Sequence, residues 1–190
     1  MKMLHLSVDP LRVLVLAVVC LVPLRAQGLE KKEIVLSDGK IRLTVPQHWE
    51  QRQPQTRILD YEFSAPAVEG DEWDARVTVM GAGGSVDANI DRWIGQFSQS
   101  DGQATRERTK RETLKVAGQE VHFVDITGDY KDQAGPFAPA VMRSDYRMLG
   151  AIIATDKIGQ YFIKLYGPKR TVAANEEQFQ EMLRSLEVKP

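Results

Sequence analysis

Apolar and polar positions alternate through most of this chain, and two stretches break the alternation with a helical period. Ile41-Arg42-Leu43-Thr44-Val45 alternates as a strand with one buried face does, and Pro46 closes it, since proline cannot donate into a ladder. Ile58 to Phe63 sets Ile58, Asp60 and Glu62 opposite Leu59, Tyr61 and Phe63. Ala75 to Met80 places Ala75, Val77 and Val79 on one side. After the glycine-rich connection Gly81-Ala82-Gly83-Gly84, the period changes. Val86, Ile90, Trp93, Ile94 and Phe97 form one helical stripe. Ser85 is a suitable N-cap for that helix, and Asp87 and Asp91 lie where the helix dipole favours negative charge.

Two further strands are expected at Thr105–Val116 and Glu120–Asp129, turning at Ala117-Gly118-Gln119. The first carries Arg106, Arg108 and Lys110 on one side, as a charge-protected edge strand would. Tyr146–Thr155 and Tyr161–Tyr166 are apolar on both faces over much of their length, which places them centrally in a sheet. A closing helix is predicted over Val172–Leu186, with Phe179, Met182, Leu183 and Leu186 on its inner face. Antiparallel runs of strands with two main helices imply an α+β fold, a sheet with long hairpins packed between the helices.

The segment Val45-Pro46-Gln47-His48-Trp49 after the first strand resembles the V-P-x-x-W element of PsbP-like proteins. Phe179-Gln180-Glu181-Met182-Leu183-Arg184-Ser185-Leu186 is similar to their terminal F-x-x-M-L-x-S-L helix. The resemblance spans about residues 34–188 and implies an antiparallel sheet between helices. Members of that family include an extrinsic subunit of the oxygen-evolving photosystem and a Ran-binding nuclear transport factor. They share no single chemistry, so the resemblance implies a fold and transfers no function.

The amino terminus carries a different signal. Lys2 and Arg12 precede an uncharged, mostly aliphatic run from Val13 to Leu24, and Arg25-Ala26-Gln27-Gly28 follows. A basic start, an apolar segment of roughly 7–15 residues and small residues before the cut describe a cleavable secretory signal. Ala26 and Gly28 fit a cut after Gly28; a cut after Ala26 would put Leu24 at the third-last position. The run is too short for a bilayer, which takes about 20 residues. A lipid anchor at Cys20 is disfavoured by Val19, because lipoprotein processing takes a small residue there. The expected organisation is thus a signal over residues 1–28 and one domain over 29–190, exported to a periplasm, a cell envelope or the medium, with no integral membrane span in the mature chain.

Cys20 is the only cysteine, so removal of the signal would leave no thiol for disulfides, nucleophiles or metal ligation. Setting aside Lys2, Arg12, Arg25 and Asp9 leaves 22 basic and 25 acidic side chains, a net charge near −3. That balance gives no basis for nucleic-acid binding, which draws on a basic excess.

No assembled chemical signature stands out. The glycine loop at 81–84 lacks a dinucleotide fingerprint, since Val86 stands where a glycine is required, and the P-loop lysine is missing. His48 and His122 have no metal-ligand spacing. The acidic run Glu69-Gly70-Asp71-Glu72-Trp73-Asp74 offers hard-cation ligands without an EF-hand pattern and reads as a solvated loop. No G-x-S-x-G element occurs. No catalytic, cofactor or metal residue is therefore nominated. The segment from Tyr130 to Asp145 contains Gly135-Pro136-Phe137-Ala138-Pro139 and reads as a long, proline-stiffened loop; such loops are more often functional than short ones. Lys131, Phe137, Arg143 and Tyr146 are its candidate contact residues. The expected function is noncatalytic binding of a protein or small ligand. The alternative is an envelope or secreted hydrolase whose site forms only by tertiary convergence.

Overall fold

The computed structural model describes residues 32–133 and 138–189; the expected signal and Phe137 lie outside the described residues. The chain opens with β1 (Glu33–Leu36) and β2 (Ile41–Thr44), paired antiparallel with Ile34, Leu36, Ile41 and Leu43 buried. β3 (Glu50–Arg52), β4 (Tyr61–Ala65) and β5 (Ala75–Ala82) follow as an antiparallel meander. The expected strand at Ile58 begins only at Tyr61; Ile58 itself is 67% exposed in the preceding loop.

Helix α1 (Val86–Ile94) begins where the sequence places it, with the Ser85 hydroxyl accepting from the Ala88 amide. It ends at Gly95, earlier than the apolar stripe suggests, and Phe97 joins the same cluster from β6 (Phe97–Ser98). The expected strand from Thr105 is shorter too. Its first residues coil as α2 (Thr105–Arg108), and β7 starts at Lys110 and runs to Val116. The coil is fixed by the buried Thr105 hydroxyl, which donates to the Phe97 carbonyl. β7 pairs β8 and is an edge strand, as expected, although of the three charges behind that expectation only Lys110 lies in it, Arg106 and Arg108 being in α2.

The core of the sheet is built from β8 (Gln119–Asp132), β9 (Val141–Thr155) and β10 (Gly159–Pro168). The strand order is β3-β4-β5-β10-β9-β8-β6, which puts β9 and β10 at the centre. The presumed long loop at 130–145 is a correction: strand pairing continues to Asp132 and resumes at Val141, so the connection covers only 133–140. The register keeps paying out hydrogen bonds because Lys131 and Met142 still face each other across it.

The closing helix is two helices, α3 (Lys169–Ala174) and α4 (Glu176–Arg184), before β11 (Glu187–Val188) returns to β2. The break falls at Asn175, whose side chain is engaged elsewhere. Its amide donates to the Thr171 carbonyl at 2.9 Å, and its oxygen accepts from the fully buried Trp49 indole at 2.8 Å. Trp49 of the V-P-x-x-W element is thereby tied to the helical C-terminal region.

The large sheet is covered on both faces. One face and the small β1-β2-β11 sheet bury Phe179, Met182, Leu183 and Leu186 with Val77, Leu149 and Leu165. The other face buries Ile90, Trp93 and Ile94 of α1 against Val124, Ile152 and Phe162.

Candidate functional site

The α1 face of the sheet is longer than the helix that covers it. Nine helical residues span about 13 Å, whereas the ten residues of β10 span about 33 Å. Trp93 lies over Gly150, paired with Lys164 near the middle of β10, where an added Cβ would come within 2.8 Å of the indole. Beyond the indole the face stays open as a groove of about 610 Å³. Its floor is set by strand alternation, with Arg76 and Thr78 of β5, Lys164 and Tyr166 of β10, Tyr146 of β9, and Tyr130 and Asp132 of β8.

Charges in this groove are mostly paired. Arg76 donates to Glu62 through Nε at 2.8 Å and Nη2 at 3.0 Å, and through Nη1 to the Tyr166 hydroxyl at 2.7 Å. Burial pushes the Glu62 carboxyl up, but the Arg76 hydrogen bonds, the Gln55 amide and the Arg76 charge together hold it below the ordinary range. Asp74 accepts from the Ser64 hydroxyl and the Ala67 amide, and these bonds hold it low. Asp132 pairs with Arg143 at 3.4 Å.

Lys164 is the exception. Among the described residues its ammonium has no hydrogen bond or ion pair. It lies 5.4 Å from the Tyr166 ring centroid and 5.9 Å from that of Trp93. Burial, then the charges of Arg76 and Arg92, push the ammonium down from an ordinary 10.5 to about 8. Two polar atoms of the groove lining also lack partners among the described residues. The Thr78 hydroxyl is buried, on a residue 3% exposed and directly across from Lys164 in the β5–β10 register. The side-chain oxygen of Gln96, just past α1, is buried as well. An unpaired buried polar group costs roughly 1–3 kcal/mol, so such atoms are uncommon in a settled core. A second depression of about 360 Å³ between β7 and α4, lined by Leu114, Val116, Phe123 and Leu183, contains neither of them.

Of the four candidate contact residues, Tyr146 lines this groove and Arg143 pairs with Asp132, which lines it. Tyr146 stacks on Tyr130, with centroids 5.9 Å apart and planes 5° from parallel. Arg143 sits at the rim, 5.8 Å from the Trp73 ring centroid. Lys131 is exposed and alternates to the opposite face from Tyr130. Phe137 lies outside the described residues. Sequence reasoning missed Lys164, Thr78 and Arg76. The available signal was Lys164 itself, a lone charge in an otherwise apolar central strand, Tyr161–Tyr166.

The remaining candidates have structural partners. His48 shares the Asn175 side-chain oxygen with Trp49, at 3.2 Å, while His122 contacts the Thr113 hydroxyl at 3.1 Å. Asp71 of the acidic run accepts from the Thr171 amide and hydroxyl. In the glycine connection, the Asn89 amide bridges the Gly83 and Ser85 carbonyls. Among the described residues no three His, Cys, Asp or Glu side chains gather as a metal site, and no helix is long and apolar enough to cross a membrane.

Comparison with solved structures bears on the fold. The chain is similar to cyanobacterial PsbP (CyanoP) from Synechocystis sp. PCC 6803, with a TM-score of 0.51 and 11% identity over 86% of this chain and 96% of that one. This is a PsbP-like fold. Weaker likenesses are the Ran-binding protein Mog1p of Saccharomyces cerevisiae, at a TM-score of 0.48 and 12% identity over 83% of this chain and 95% of that one, and LpqN of Mycobacterium tuberculosis, involved in cell envelope biogenesis, at 0.46 and 11% over 85% and 91%. No protein-family model matches the chain, and no curated protein matches it in sequence. At such identities the likeness concerns fold, and function rests on the groove.

Proposed function

We propose that the chain is an exported, noncatalytic PsbP-like domain that binds a small ligand in the groove beside α1. The observation that carries this reading is the conjunction of Lys164, without a counter-charge, and the buried Thr78 and Gln96 atoms, without partners, in one open depression. Its volume of about 610 Å³ falls within the range of small-molecule sites, and its lining combines three tyrosine rings with a larger set of polar and charged side chains, most of them already paired. Binding is favoured over hydrolysis because Glu62, Asp74 and Asp132 are each engaged by fixed donors. A two-carboxylate mechanism needs one group as acid and one as base or nucleophile.

The test is amide-shift mapping of the mature domain against a fragment library. Shifts are expected at Thr78, Gln96, Tyr146 and Lys164. Fragments that gather instead at the β7–α4 depression, or nowhere, would refute the reading. Export is tested separately, by sequencing the amino terminus of the protein recovered outside the cytoplasm, with Leu29 as the expected first residue.

A further inference from the structure

We propose that the groove's ligand is a flat organic monocarboxylate, anchored by its carboxylate between Lys164 and Thr78 and bearing a hydrogen-bond donor toward Gln96. This deepens the ligand-binding reading and rests on it. Arg76 is committed to Glu62 and Tyr166, and Arg143 to Asp132, so the groove offers one uncompensated positive charge. Directly opposed residues on neighbouring strands hold their Cβ atoms about 5 Å apart, so Lys164 and Thr78 can grip two oxygens of one planar group. A dianionic phosphate would bring a second negative charge to the neighbourhood of Glu62, which is 4% exposed and itself charged. Excess charge in so dry a place is strongly disfavoured. Asp74 does not neutralise Lys164, because it lies four residues along β5 from Thr78, about 13 Å away.

The flat body follows from the walls. Tyr146 and Tyr166 are half-buried and line the groove, so their rings border the space beyond the ammonium, while the buried Tyr130 backs them by packing against both. A planar guest can stack offset or edge-on against such rings, which a branched one cannot do as closely. At the α1 end, the Gln96 oxygen accepts nothing among the described residues, which suits an O–H or N–H on the ligand.

The experiment is calorimetric titration at pH 7 with a panel of hydroxylated benzoates and cinnamates, each beside its primary amide, and with phenyl phosphate. The wild type and the Lys164→Met, Lys164→Arg and Thr78→Val variants are compared. The expected result is acids binding at least tenfold tighter than their amides and tighter than phenyl phosphate. Lys164→Met should weaken the acids roughly 10- to 100-fold, the range of a charge-assisted hydrogen bond. Lys164→Arg should retain most of the affinity, and Thr78→Val should lose several-fold. Amides that bind as tightly as acids, with Lys164→Met indifferent, would overturn the carboxylate and leave the ligand-binding reading standing. Phenyl phosphate preferred over every carboxylate would overturn the monoanion. No binding by any of the panel, while neutral library fragments still shift Thr78 and Gln96, would also overturn this inference alone; loss of both signals would remove the reading beneath it.

Discussion

Replacing Lys164 with methionine should make the unliganded protein more stable at neutral pH. The folded state holds the ammonium at about 8 against an ordinary 10.5, a difference that caps the folded-state penalty at about 3 kcal/mol. Lys164 is half-buried, so water screens part of that penalty, and the cation–π contacts to Tyr166 and Trp93 oppose it. Methionine keeps the flexible apolar stem between the same rings. A net gain of about 1 kcal/mol remains, or about 2–4 °C in melting temperature for a domain of this size. The pH dependence has a definite sign. Between about 8 and 10.5 the unfolded chain holds more protons at this site than the folded one, so wild-type stability rises with pH relative to the variant. The gap should be full below pH 8 and closed above about 10.5. Urea unfolding of both proteins at pH 7, 8, 9 and 10 measures it. A variant less stable than wild type at pH 7, or a gap that stays constant to pH 10, would refute the claim that burial holds this ammonium down at a cost to folding.

Other perturbations probe the surrounding frame. Asn175→Ala should cost about 2–3 kcal/mol in urea unfolding, because it orphans the buried Trp49 indole N–H and cuts the tie to Thr171. Gly150→Val should lower stability by roughly 1–3 kcal/mol by forcing Trp93 off the sheet, read as a lowered melting temperature with altered tryptophan fluorescence. The Glu62 carboxylate, held below its ordinary 4.5, contributes stability that is present above that value and lost as pH falls through its lower folded one. Acid titrations of Glu62→Gln should therefore lack part of the wild-type loss below pH 4.5. Carboxylate affinity should weaken above pH 8 as Lys164 deprotonates, with Arg76 of β5, Arg92 of α1, Tyr166 of β10, Tyr146 of β9 and Tyr130 and Asp132 of β8 facing or lining its site.

The frame was largely legible and the groove was not, for reasons that specific residues make clear. Alternation and helical period locate β2, β5, α1 and the central pair β9 and β10, since each buries a face that must be written in apolar residues. Helix ends were harder. Asn175 interrupts the last helix by holding Trp49, a partner 126 positions away, and no local pattern carries that information. Thr105 coils its neighbourhood for a similar reason, through the Phe97 carbonyl. The groove joins β5, β8, β9 and β10 and depends on where a short helix stops, so its members lie far apart in sequence. Arg76 and Thr78 look like ordinary polar positions of a half-buried strand until β10 is set beside them.

Arg143 and Tyr146 show how far a single irregularity in a strand decides what the groove contains. Their separation by three residues should send them to opposite faces of a regular strand. They share the groove face because Tyr146 pairs with Gly128 while Arg143 pairs with Tyr130, so β9 spends three steps against two on β8. The extra residue is absorbed at Ser144-Asp145, where Asp145 takes a left-handed φ of 53° that aspartate tolerates better than most residues. An unbulged β9 would turn Arg143 to the far face and oppose Ser144 to Tyr130. Asp132 would then lose its partner at the rim, and a second uncompensated charge would enter the groove. The bulge thus allows the Tyr130–Tyr146 stack and the Arg143–Asp132 pair to coexist on one wall, leaving Lys164 as the cation without a counter-charge there. A strained residue retained within a strand has this logic: local conformational cost is offset by the arrangement of side chains it permits.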